Sequence, residues 1–507
     1  MQEQTRRRLG LGALALALLV GAAFRLYTQS ELWLDEALTV NIARLSPGDM
    51  FEQLRHDGHP PLYYLLLHGW MEVFGDGNEA TRLLSAVFSL ATLPLLYVAA
   101  RRWAGRNVAI AAVVLFATSP FAVRYATEVR MYSMVTFLVV AGWLALRKAL
   151  DDPSPRWLAL VAVLAGLLAL THYWSFYLLA ATGLVLLWRW RKGSATALKA
   201  AVALVVGGVL FLPWLPSFLE QAGHTGTPWG RPERPTQIFF ISFTDWGGGP
   251  NGEAQMVGYG ILLLVLLALF ARSRDGRHVE LDLATVPLAR PEAIVVALTM
   301  AIACLASYAS AAAFASRYTA VVFPIVLVLA GLGAAAFAPN RKAWVGILVV
   351  LSLFGVVGMS RNARGERTQA GHIAEYIREQ GAPGDVVAFC PDQLGPSTMR
   401  LLPDTFTGLT FPDGGDAEFV DWVDYADRQT ERTPAQFAEL VDARATDAHT
   451  VWLVWSEGYR TVGKKCRRTV NALKKLRRGG AAVKASGPQF EHAWLYQYGP
   501  DPERGAP

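Results

Sequence analysis

Charge is scarce in this chain. Of its 507 residues only 17% are Asp, Glu, Lys or Arg, while 53% are apolar. Mean hydropathy is +0.29, above what a soluble globular protein usually carries. Cysteine is scarcer still: three residues exclude a disulfide framework and a Cys-only metal site. A glycine loop of the kind that cradles nucleotide phosphates is also missing. Aromatics are plentiful: 16 Trp and 16 Tyr suit the interfaces of a membrane.

A span needs about 20 mainly apolar residues. Eleven stretches approach that, at about 9–28, 80–100, 107–123, 131–149, 156–172, 174–190, 198–215, 255–271, 291–313, 318–338 and 342–360. The first is preceded by Arg6-Arg7-Arg8 and is read as a retained helix, because no convincing small-residue cleavage site follows it. Cations cluster at alternate loops: Arg101-Arg102 with Arg106, Arg147-Lys148 with Arg156, Arg189, Arg191-Lys192 and Lys199, then Arg272, Arg274 and Arg277, and Arg341-Lys342. The positive-inside rule then places the N-terminus in the cytoplasm. An odd number of spans puts the first loop, residues 31–64, and the tail from residue 361 outside.

That first loop is the chain's most polar and acidic stretch near a span. Glu36 to Leu45 reads as one short helix. A second is expected from Ser46, with Pro47 at its first position and Asp49 closing a capping box, ending at Asp57-Gly58. Pro60-Pro61 is expected to be extended. The 40-residue loop from Pro216 to Gln255, with His224, Trp229, Arg231 and Arg234, shows little periodicity and reads as an irregular functional loop hinged at Gly247-Gly248-Gly249. The tail alternates helix patterns (369–380, 467–478) with strand patterns (386–389, 451–455, 493–496), which predicts a small α/β domain. Cys390 and Cys466 both fall in this outer domain and are expected to pair, leaving Cys304 in the ninth span.

Several motifs follow one another in a specific order: Asp35-Glu36, then His59-Pro60-Pro61-Leu62-Tyr63-Tyr64, Arg82-Leu83-Leu84-Ser85, Tyr125 to Tyr132, Thr171-His172-Tyr173 and Ser316-Arg317-Tyr318. Together they resemble the C-type (GT-C) membrane glycosyltransferases, in the branch of protein O-mannosyltransferases and lipid A aminoarabinose transferases. The resemblance covers about residues 1–340. It implies an α-helical polytopic membrane protein: a catalytic domain over 1–360 and an extracytoplasmic α/β domain over 361–507. It further implies inverting transfer of a sugar from a polyprenyl-phosphate carrier to a hydroxyl of a glycan, lipid or protein at the outer face of the plasma membrane. Membrane lipids are expected partners and nucleic acid is not. The Arg- and Ala-rich composition fits a high-GC actinobacterial source, and hence mannose or arabinose donors and a cell-envelope acceptor.

The chemistry selects the residues. A hydroxyl is a poor nucleophile and needs a positioned base; Asp35 is the expected base, its structural alternative being the N-cap of the first loop helix. Glu36 is expected to orient the acceptor or bind a metal, or else to complement the helix dipole. A departing lipid phosphate calls for arginine, and Arg124, Arg130 and Arg317 lie at span ends, with Tyr132, Tyr318, His59 and His172 as further donor contacts. His56 with Asp35 or Glu36 is a candidate divalent-cation site; no other cofactor is expected. A transporter or flippase is the rival class, but it would place charges within spans, and here they sit at span ends. A polysaccharide ligase working on the same lipid-linked substrates is a further alternative.

Overall fold

The computed structural model describes residues 2–226, 230, 232–273, 278–310, 313–446 and 448–499, with backbone alone for 2–9. Trp229, Arg231, Arg274 and Arg277, and the side chains of Arg6, Arg7 and Arg8, lie outside the described residues.

Every one of the eleven predicted spans is occupied by a helix. Six are long and apolar enough to cross a membrane on their own: Asn78–Ala104, Tyr132–Asp151, Ala195–His224, Gly252–Phe270, Arg290–Ala309 and Arg341–Arg364. The bent pair Arg106–Ala117 and Pro120–Ala126 makes a seventh if counted as one. Gly10–Phe24, Pro155–Ala169 and Phe323–Ala335 are shorter apolar helices, and Ser175–Arg191 has 17 residues. Hydropathy overstated these lengths: part of the predicted tenth span, for example, is the 3-10 turn Ser316–Val321 that precedes Phe323–Ala335.

The 57° bend has an identifiable cause. Pro120 has no N–H to offer the Phe116 carbonyl, so the helix cannot continue. Buried Arg25 takes over, donating to Phe116 O at 2.7 Å and Ala117 O at 2.8 Å. Ser119 Oγ then accepts from Ala122 N at 3.1 Å and caps the next helix. The turn so formed aims the segment 127–131 at the first loop.

The first loop is more helical than expected. Leu34–Arg44 and Pro47–Asp57 match the capping signals, with Ser46 as N-cap and Gly58 at φ 82° closing the second. Pro60-Pro61 does not stay extended: Pro61 caps a third helix, Leu62–Phe74. The loop from Pro216 is also mostly helical, through Leu215–His224 and Pro235–Trp246. Proline sits in the first turn of both, where its missing N–H costs nothing.

A short hairpin, β1 (Ala271–Ser273) and β2 (Val279–Leu281), follows the eighth predicted span. The tail folds around a five-stranded mixed sheet of β3 (Val386–Cys390), β4 (Thr407–Thr410), β5 (Val451–Trp455), β6 (Gly479–Lys484) and β7 (Trp494–Tyr498), in the order β4-β3-β5-β7-β6. β3 runs parallel to β4 and β5; β7 is antiparallel to β5 and β6. Phe437, Val441 and Leu473 pack on one face of the sheet and Ile373, Ile377 and Leu402 on the other. Cys390 and Cys466 are bonded across a separation of 76 residues, while Cys304 is free. Closing a loop of that size should stabilise the tail by about 2–4 kcal/mol. Reduction of the full-length protein is therefore expected to lower the unfolding midpoint of this domain, measured by calorimetry with and without reductant.

The tail is latched onto the first loop. His56 Nδ1 lies 3.0 Å from Asp421 Oδ1, Trp422 N donates to His56 O at 3.0 Å, and Asn41 Nδ2 donates to Glu418 O at 2.8 Å. Trp33 meets Phe490 edge to face at 5.2 Å. The Asp421 hydrogen bond and charge outweigh burial and hold His56 above its ordinary range. Burial pushes the Glu491 carboxyl up to about 8 and Asp392 up to about 7. The signs agree. A raised histidine contributes stability that is lost as pH rises through its folded value. An acid kept protonated by burial disfavours folding once the unfolded chain has ionised, above about 4.5. Stability of the tail is thus expected to fall between about pH 5 and 8, and Glu491→Gln should flatten that slope in thermal scans.

Candidate active site

Asp35 and Glu36 are neighbours on one helix, so their side chains leave it about 100° apart. They enter different surroundings. Trp33 is the N-cap residue and contributes no side-chain cap; Asp35 lies inside the first turn and is not the cap. Its Oδ2 stands 3.3 Å from Arg317 Nη2, with 17% of the Asp35 side chain and 22% of the Arg317 side chain exposed. The Arg317 guanidinium lies over the Trp33 ring at 5.8 Å and over Tyr318 at 5.7 Å. A carboxylate, a cation and two aromatic faces therefore meet where solvent still reaches.

Glu36 points into the protein and is fully buried. Arg82 clamps it with two parallel bonds of 2.8 Å, Val129 N donates at 3.0 Å, and Arg367 Nη1 adds 3.5 Å. Burial would raise this carboxyl, but Arg82, Arg367 and the Val129 amide outweigh it and hold it ionised. All its acceptor capacity points toward the chain's own donors.

Beside Asp35, buried Arg130 gathers the loop. Its Nη1 donates to Thr39 Oγ1 at 2.7 Å and lies 3.4 Å from both Asp35 O and Tyr64 OH; its Nη2 is 2.7 Å from His59 Nε2. Arginine only donates, so His59 Nε2 accepts and the ring proton sits on Nδ1. That nitrogen lies 2.8 Å from Asp57 Oδ2, which also accepts from Tyr64 OH at 2.8 Å. Burial would raise Asp57, but His59, Arg130 and Tyr64 hold it below the usual carboxylate range.

His172 is buried and accepts from Trp174 N through Nδ1 at 3.2 Å. Its ring lies 5.6 Å from Tyr132 and 5.3 Å from Tyr318. Burial, then the charges of His59, Arg130 and Arg317, push it well down, so it stays neutral. The Tyr132 hydroxyl is buried and makes no hydrogen bond among the described residues. Beside it lies a small void of about 10 Å³ lined by Tyr125, Phe121, Ser133 and Phe323.

The residues expected from the sequence thus divide. Asp35, Arg130, Arg317, His59, His172, Tyr132 and Tyr318 converge. Arg124 sits one layer back, 3.0 Å from Glu128, which faces Arg367 at 4.0 Å. His56 does not approach Asp35 or Glu36 and is taken by Asp421 of the tail. Among the described residues no group of three or more His, Cys, Asp and Glu is placed to hold a metal ion. Asp35 faces Arg317 and Glu36 faces Arg82, so the acidic pair does not fit a cation and no step below is routed through one. Sequence reasoning passed over Asp57, Tyr64, Thr39 and Arg367. Asp57 had been visible only as a helix end. Arg367, which donates to Thr127 O at 2.6 Å, lies in the tail, and no local signal ties it to the site.

Residues 58–216 match the family model for dolichyl-phosphate-mannose-protein mannosyltransferase. No curated protein matches the sequence. The fold is similar to that of ArnT from Cupriavidus metallidurans in the apo state, with TM-score 0.64 and 15% identity over 97% of this chain and 98% of that one. The same protein bound to undecaprenyl phosphate gives 0.63 and 16%, over 97% and 98% of the two chains. The oligosaccharyltransferase of Archaeoglobus fulgidus gives 0.50 and 13%, over 87% of this chain and 67% of that one. The chain is a multi-pass membrane protein with the C-type glycosyltransferase fold.

Proposed function

We propose that the protein transfers a mannose- or arabinose-like sugar from a polyprenyl-phosphate carrier to a hydroxyl of a cell-envelope glycan, lipid or protein. The Asp35 carboxylate takes the proton of the acceptor hydroxyl. The freed oxygen attacks the anomeric carbon from the face opposite the phosphate. The sugar–phosphate bond breaks and its electron pair leaves with the lipid phosphate. Arg317 and Arg130 receive that charge, with His59 holding the Arg130 guanidinium through Nε2, and Tyr132 and Tyr318 offer hydroxyls beside it. The partly exposed Asp35–Arg317 pair is the observation that carries this reading: a carboxylate and a guanidinium stand 3.3 Å apart on the side covered by the tail. We place that side outside the cell, following the cation asymmetry of the loops, with the N-terminus in the cytoplasm. We assign Glu36 and Arg124 to positioning, since both are engaged by the chain itself.

Charge-assisted hydrogen bonds are worth about 1.5–3 kcal/mol, or about tenfold or more in affinity. Arg317→Ala and Arg130→Ala are each expected to weaken binding of undecaprenyl phosphate to the full-length protein by that factor, with Arg124→Ala nearly unchanged. Isothermal titration in detergent measures this. Unaltered affinity in both of the first two variants overturns the phosphate assignment.

A further inference from the structure

A cavity of about 100 Å³ lies between the helices, away from the site above. Val139, Gly142, Val161, Leu178 and Leu204 line it, so its walls are apolar. Its far end is not. Glu292 lies there, 95% buried, with Arg147 Nη1 and Trp143 Nε1 both 3.3 Å from its Oε1. Its second oxygen, Oε2, is buried and has no hydrogen-bond partner among the described residues. Arg189 lines the same end and forms no ion pair among the described residues. A buried carboxylate oxygen without a donor costs about 1–3 kcal/mol or more, which calls for something to occupy the space.

The position defines the ligand. Tyr132, at the site, and Arg147 lie on one helix, 15 residues and therefore about 22 Å apart along it. The charged end faces the leaflet opposite the tail domain, the cytoplasmic leaflet in the orientation proposed above. A ligand that fits supplies an apolar chain for the walls, an N–H or O–H donor for Glu292 Oε2, and an anion for Arg147 and Arg189. We infer that this cavity binds an aminated glycerophospholipid such as phosphatidylethanolamine, its ammonium on Glu292, its phosphate between the two arginines and an acyl chain in the cavity. The site is separate from the one that handles the sugar donor, and its occupancy does not depend on Asp35.

Native mass spectrometry of the delipidated full-length protein tests this. Phosphatidylethanolamine is titrated against phosphatidylcholine, which has no N–H donor, and against undecaprenyl phosphate. Wild type is expected to retain one phosphatidylethanolamine at least tenfold more tightly than phosphatidylcholine. Glu292→Gln should narrow that preference. Gly142→Phe is the second variant: a Cβ at Gly142 meets nothing within 4 Å, and a ring there is expected to occupy the cavity that Gly142 lines. It should abolish high-affinity retention while leaving the protein folded. Equal retention of the two phospholipids, or wild-type retention by Gly142→Phe, overturns the inference. Displacement of phosphatidylethanolamine by equimolar undecaprenyl phosphate also overturns it and assigns the cavity to the carrier's chain.

Discussion

Asp35→Asn is expected to lower single-turnover sugar transfer by about 10²- to 10⁴-fold, the usual contribution of a positioned general base. The change keeps the shape and removes only the basicity. Asp35 is half-buried and lies 3.3 Å from Arg317, whose guanidinium keeps its charge for a phosphate when the carboxylate is gone. Binding of the lipid carrier should therefore persist or tighten, while chemistry fails. Rapid-quench assays with a radiolabelled polyprenyl-phosphate sugar, paired with carrier titrations, separate the two. Loss of binding together with turnover would mark Asp35 as a scaffold residue.

Glu36→Ala is expected to cost about 3–5 kcal/mol of stability, the range for breaking a buried ion pair by removing one partner. Two guanidiniums, Arg82 and Arg367, would remain buried beside the vacancy with 7% and 2% of their surfaces exposed, and Val129 N would lose its acceptor. The Glu36–Arg367 contact also joins the tail to the first loop, so the damage should reach the docking of the tail. Thermal unfolding and protease sensitivity of the full chain measure it. Glu36→Leu with Arg82→Leu should recover part of the loss, because an apolar pair leaves fewer charges unmet. A Glu36→Ala protein with unchanged stability and reduced turnover would instead give Glu36 a direct part in the reaction.

The sequence made the site legible wherever chemistry and local geometry coincide. Asp35, Arg130 and Arg317 stood out because they belong to motifs at span ends whose order along the chain is specific, and Ser46-Pro47 announced its helix through capping. The helix Leu62–Phe74 did not stand out: at 13 residues it is too short to read as a span, and two prolines preceded it. The helices of the loop after residue 215 were hidden because proline marks both a helix's first turn and an irregular loop. Adjacent carboxylates looked like a pair, and only the packing of Arg82 and Arg367 shows that Glu36 faces inward. His56 seemed close to the acids along the chain, yet Asp421, 365 residues away, claims it. Such long-range partners leave no periodic trace.

The stereochemistry of the product tests the central claim most directly. If Asp35 acts as a base toward the acceptor hydroxyl, one displacement occurs at the anomeric carbon. Purified full-length protein, given a polyprenyl-phosphate sugar of known configuration and a simple hydroxyl acceptor, should yield the inverted anomer by NMR. A product with retained configuration would require a covalent sugar intermediate and would contradict the account.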